Sequence, residues 1–223
     1  MGTSGLHRAS PGAPAADATR GRGGPGFYLF GMVRGTSRRV AQLARGLGSD
    51  FQRVPYRDLV ALVRQTSFRL PTLDPPQLVE HQRAVEYVMR RATILPAPPG
   101  VVFRGRRPLL KFMEDQYLAL EEGLALLEGN WEIRLHIAAA AGQADEDLAR
   151  LAADAYAELR RHARAAVPFS PDRAHLLSAA FLVERAGWIE FVEKAEELGA
   201  AHAGLAVDVT GPWPPYDFVR LVF

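Results

Sequence analysis

Cysteine is absent from the 223 residues, and with it disulfides, thiolate metal sites, iron–sulfur clusters and a cysteine nucleophile. Lysine is nearly absent too: of 27 basic residues only Lys111 and Lys194 are lysines. With abundant Ala, Gly and Pro, this fits a GC-rich coding bias, not an arginine-specific function. No stretch approaches the roughly 18 uninterrupted apolar residues of a membrane-crossing helix, so no membrane span is expected. Net charge is small as well. The formal +2 is carried entirely by residues 1–26, where Arg8, Arg20 and Arg22 face only Asp17, and the remainder sums to zero. Basic pairs such as Arg38-Arg39, Arg90-Arg91 and Arg160-Arg161 adjoin carboxylates or apolar residues and read as solvated helix faces. Nucleic acid is therefore not an expected partner.

What the chain does have is 48% hydrophobic content, enough for one sizeable core or two small ones. Residues 1–26 are too poor in large apolar side chains to repay ordering and are expected to form a disordered tail. They lack the apolar segment of a signal peptide. Gly21, Gly23 and Gly26 match G-x-G-x-x-G, but a dinucleotide loop follows a strand and opens a helix, whereas this one precedes the strand and reads as a linker.

From Phe27 the pattern is structural. Phe27–Val33, "FYLFGMV", is an apolar run suited to a central strand covered on both faces. A second extended segment is expected from Phe51 to Val63, broken or bulged at Pro55. A helix should follow, with Asp74 as N-cap, Pro75 or Pro76 in its first turn, and Leu78, Val85, Val88 and Met89 on one face. Thr93–Phe103 reads as two short extended pieces around a proline loop. Pro108 opens one long helix carrying Leu109, Met113, Tyr117, Leu120, Leu124 and Leu127, ended by Gly129.

In the second half, Trp131–Ile137 alternates, with Glu132, Arg134 and His136 facing water. A helix over about 145–166, a buried strand Leu176–Val183, a helix Gly187–His202 and a strand Leu205–Val209 complete it. The fold class is α+β: two small two-layer domains, 27–129 and 130–223, the second ferredoxin-like with a Pro-rich C-terminal arm. Whether the halves share one core is left open by the sequence.

Chemistry is hard to find. G-x-S-x-G, H-E-x-x-H and the phosphate-binding G-x-x-x-x-G-K-[ST] are all missing, and no two of the six histidines lie at i, i+4. His81 with Glu80 or Glu86 could in principle make an acid/base pair, and an exposed or hydrogen-bonded helix histidine is the commoner case. No catalytic, cofactor or metal residues are assigned.

One stretch is specific. "TGPWPPYDFV", Thr210–Val219, following "FLVERAGWIEFVEKAEEL" and an alternating strand, resembles the C-terminal signature of the GvpL/GvpF family of gas vesicle proteins. "FYLFGMV", "VPYRDLVALV" and "EHQRAVEYVMRRATILP" are similar to that family's opening strand, second extended segment and His-containing helix, in order. The resemblance covers about 27–223. Its signature positions are Gly211, Pro212, Trp213, Pro214, Pro215, Tyr216 and Phe218, with His81, Arg83, Pro96 and Gly100. It implies a two-domain α+β fold and a non-enzymatic accessory or minor structural role in gas vesicle assembly, in the cytoplasm and on the vesicle. Contacts would be with the shell protein GvpA and other accessory proteins, without a cofactor or small-molecule substrate. The alternative is a family-derived interaction or scaffold protein in an organism without functional vesicles.

Two departures stand out: Pro98-Pro99 replaces the family's Arg-Phe before Gly100, and the 26-residue tail is not a family requirement. Locally, the prolines stiffen the arm. It is expected to fold back, burying Trp213 and Phe218, and to join the halves through "FVRLVF".

Overall fold

The computed structural model describes residues 25–35, 38–68, 74–140, 146–170 and 172–219. The proposed tail therefore lies outside the described residues up to residue 24; Pro25 and Gly26 already belong to the first strand.

The N-terminal half begins with β1 (Pro25–Arg34), α1 (Arg38–Leu47), β2 (Phe51–Tyr56) and β3 (Leu59–Ser67). It continues through α2 (Pro75–Met89), β4 (Ile94–Pro96) and β5 (Val102–Phe103). The sheet order is β2-β3-β1-β4, all antiparallel, with β5 sharing the β4 edge of β1. The apolar opening strand is thus central. A bulge between Leu29 and Gly31 shifts its alternation, so Leu29 and Met32 face one side while Phe30 and Val33 face the other.

Three expectations change here. The extended segment after Phe51 is a hairpin that turns at Arg57–Asp58, not at Pro55. Pro55 sits in the edge strand β2, where a missing N–H is tolerated. Helix α1 was not anticipated, although Val40, Leu43 and Ala44 bury one face of it. On α2 the cap is as expected: Asp74 Oδ1 accepts the Gln77 N–H at 2.9 Å and Pro75 opens the helix. The buried face is, however, His81, Ala84, Val85, Val88 and Met89, while Leu78 is 38% exposed.

The expected single helix is two, α3 (Arg106–Asp115) and α4 (Tyr117–Leu127), parted at Gln116. Gly129, at φ 74°, then reverses the chain into β6 (Asn130–Ala139). Next come α5 (Glu146–Arg160), β7 (Ala165–Pro168), β8 (Leu177–Glu184), α6 (Trp188–Ala200) and β9 (Leu205–Trp213), closed by a 3₁₀ turn at Tyr216–Phe218. The helix expected to reach residue 166 stops at Arg160, and its last residues form β7 instead. The alanines there could serve either element, and pairing with β8 decides for the strand.

The second sheet runs β7-β8-β6-β9, again antiparallel. Both halves therefore share the chain order β-α-β-β-α-β and the same strand order, a repetition the sequence reading did not anticipate for the first half. Helices α1 and α2 cover the outer face of the first sheet, and α5 and α6 that of the second. Between the sheets lie α3 and α4, whose Leu109, Met113, Leu120, Leu124 and Leu127 pack on Leu29, Met32 and Val63 on one side and Ala180 and Leu182 on the other. The halves share this middle core. The inner face of β6, expected to be wet, is covered: Glu132 is wholly buried.

Candidate functional site

The arm begins within the end of β9, which contains a cis Gly211–Pro212 bond. Gly211 has φ 130°, and a Cβ there would lie 3.0 Å from the Glu132 carbonyl oxygen, so backbone conformation and close approach both call for glycine. Trp213 is partly buried and donates its indole N–H to Thr210 Oγ1 at 3.1 Å. Pro214 and Pro215 are buried. They steer the chain back over the seam, where Tyr216 packs with the outer core of the first half and Phe218, 7% exposed, enters the middle core. The arm thus folds back as expected and touches both halves; residues 220–223 of "FVRLVF" lie outside the described residues.

A charged cluster fastens it. Glu132 Oε2 accepts the Asp217 backbone N–H at 3.0 Å. Arg134 donates from Nε to Glu132 Oε1 at 2.7 Å and reaches Asp217 Oδ2 through Nη2 at 2.9 Å. Burial, reinforced by the neighbouring Asp217 charge, pushes the Glu132 carboxyl up to about 8. Glu132, Arg134 and Asp217 escaped the sequence reading, since an alternating strand gives no sign that a segment from the end of the chain covers its polar face.

His81 forms the second fastening. It is 1% exposed and stacked on Phe30, with ring centroids 5.3 Å apart. Its Nε2 lies 3.0 Å from the Ala97 carbonyl oxygen, which can only accept, so Nε2 carries the proton and Nδ1 accepts from the Tyr28 hydroxyl at 2.8 Å. Tyr28 Oη in turn accepts the Gly100 N–H at 3.2 Å. The proline loop is thereby tied to α2 and β1 through one chain of hydrogen bonds. Burial pushes the His81 imidazole down to about 4, so it is neutral. Neither Glu80 nor Glu86 is its partner: Glu80 pairs with Arg64 at 2.8 Å, and Glu86 accepts from Gln82 at 2.9 Å.

The structure thus brings together His81, Gly100 and Tyr216, whose ring lies 6.3 Å from His81. Pro96 is buried in β4, opposite Gly31. Arg83 stands apart, exposed beside a groove lined by Leu47, Phe51 and Val79. Glu132 with Arg134 and Asp217, and His81 with Tyr28, are occupied with one another and act as fasteners. Among the described residues no group of three or more His, Asp or Glu side chains could hold a metal ion, and no helix is long and apolar enough to cross a membrane.

The family described as Gas vesicle synthesis protein GvpL/GvpF matches residues 26–149 and 138–220. The chain belongs to the GvpL/GvpF family. Among curated relatives, Gas vesicle protein F2 of Halobacterium salinarum is 27% identical, over 75% of this chain and 79% of its own length. Gas vesicle protein L of a Streptomyces species is 25% identical, over 87% of this chain and 92% of its own. The crystal structure of GvpF from Anabaena sp. PCC7120 superposes with a TM-score of 0.74 at 16% identity, covering 89% of this chain and 98% of that one. GvpF from Microcystis aeruginosa gives 0.70 at 17%, covering 88% and 99%. At these identities the two structures establish the GvpL/GvpF fold for this chain, and nothing finer.

Proposed function

We propose that the chain is a non-enzymatic accessory or minor structural protein of gas vesicle assembly. It works in the cytoplasm and on the vesicle, through protein–protein contacts with the shell protein GvpA and other accessory vesicle proteins. The observation that carries this reading is the family match across both halves and the arm. The geometry supports it: the signature residues of the arm, with His81 and Gly100, are spent on fixing the shape of the molecule, as a rigid contact surface requires. No cofactor, nucleic acid or small-molecule substrate enters the reading.

The test is co-expression of the tagged full chain with a gas vesicle gene cluster from which the GvpL/GvpF members have been deleted. Capture of the shell protein or an accessory protein, with vesicles restored, is expected. Capture of no vesicle protein, with vesicle formation unchanged by the chain, would overturn the reading in favour of a family-derived scaffold with other partners.

A further inference from the structure

The β2–β3 hairpin turns on two residues, Arg57 and Asp58. Arg57 has φ 53° and is the one non-glycine residue with positive φ among those described. Tight hairpin turns favour glycine at such a position, because a Cβ is strained there. A strained backbone that retains a long charged side chain points to a use for that side chain.

Its placement suggests the use. The guanidinium carbon lies 4.5 Å from the Tyr117 ring centre and 5.5 Å from that of Tyr56, and the two rings meet edge to face. The side chain is thereby held in one orientation while the residue stays exposed. Ring faces leave the guanidinium edge unspent, and among the described residues no acceptor or carboxylate pairs with it. Nearby carboxylates are taken. Asp58 accepts the Tyr117 hydroxyl at 2.6 Å, Glu121 pairs with Arg34, and Asp115 with Lys111. Next after Tyr117 in α4, Leu118 is 73% exposed, the most exposed large apolar side chain among the described residues.

We propose that this hairpin tip, with Arg57 held over Tyr56 and Tyr117, forms a protein-docking hot spot together with the exposed Leu118 that follows Tyr117 in α4. Its partner presents an Asp or Glu carboxylate next to an aliphatic or aromatic side chain. The carboxylate takes the fork of the preordered guanidinium, and the apolar neighbour covers Leu118. Tyr and Arg are enriched at the centres of such sites, and a guanidinium fork matches a carboxylate bidentately. Charge complementarity selects the partner: an immobilised arginine with no ion pair of its own among the described residues gains from a carboxylate without first losing one.

The surface rests on the proposed vesicle role only for the choice of probe. Short overlapping peptides spanning the shell and accessory proteins of a gas vesicle cluster are titrated against the full chain by fluorescence anisotropy. The chain should bind peptides that carry Asp or Glu beside a large apolar residue. Arg57→Gly, which relieves the turn as it loses the ring contacts, should keep Tm within about 2 °C yet weaken those peptides at least about tenfold. Leu118→Ser should weaken them too. Equal binding by Arg57→Gly, or no acidic peptide bound by the wild type, would overturn the proposal. Full-length vesicle proteins captured equally by wild type and Arg57→Gly would also reject this surface and leave the vesicle role standing. Acidic peptides bound through Arg57, with no full-length vesicle protein captured, would reject the vesicle role and keep the surface.

Discussion

The buried carboxyl of Glu132 accepts the backbone N–H of Asp217 at 3.0 Å, so a strand of the second sheet holds the returning C-terminal arm directly. Opposite pH dependences follow from this carboxyl and from His81. Glu132, pushed up to about 8 from an ordinary 4.5, keeps a proton in the fold that the unfolded chain has released, so its contribution to stability falls as pH rises between those values. His81, pushed down to about 4 from 6.5, refuses a proton that the unfolded chain binds, so its contribution falls as pH drops through that window. Between 4.5 and 6.5 the two slopes oppose; above 6.5 Glu132 acts alone. Urea unfolding followed by tryptophan fluorescence should show stability falling from pH 6.5 to 8. Glu132→Gln should remove that fall and reveal a loss on acidification. A variant with the wild-type profile would refute the assignment.

His81→Ala leaves a cavity and strips partners from Tyr28 and from the Ala97 carbonyl. It should cost about 3 kcal/mol in denaturant unfolding. Tyr28→Phe, which removes one hydroxyl from the same chain of bonds, should cost about 1 kcal/mol. Costs that simply add in the double variant would mean that the two residues do not act as one network.

Phe218→Ala removes the arm's anchor from the middle core and should cost about 3–4 kcal/mol. Gly211→Ala should cost about 1–3 kcal/mol through its backbone conformation and the nearby Glu132 carbonyl. Limited proteolysis provides a second readout, since cleavage near the C-terminus should speed up in both variants before global unfolding does.

Asp74→Ala deletes the side-chain cap of α2 and should lower stability by about 1 kcal/mol, with Asp74→Asn close to wild type. Thermal unfolding of the three proteins measures it.

Where one local signal decided an element, the sequence was readable. The apolar run of β1, the Asp74-Pro75 start of α2 and the proline loop between β4 and β5 each carry their reason within a few residues. The misreadings share another cause. The alanines of β7 continue a helical stripe until β8 pairs with them. Gln116 parts α3 from α4 with neither Gly nor Pro to announce it. Arg57, not Pro55, turns the first hairpin. In α1 the 3–4 spacing of Val40, Leu43, Ala44 and Leu47 is a weak signal, because the stretch is short and rich in arginine. As for the site, the arm's composition marked it as special, whereas Glu132 looked like any outward residue of an alternating strand. Its significance comes from a segment 85 residues further along the chain, a contact that no local pattern encodes.

The α3–α4 pair, packed against both sheets, has a consequence for anyone cutting the gene. A fragment ending after α4 would present the second face of those helices bare to water, and one beginning at β6 would keep Glu132 under its arm but uncover Ala180 and Leu182. Because the halves share that core despite their matching topology, each piece is expected to be sticky on its own, and point substitutions in the whole chain are the tool that suits partner mapping in this molecule.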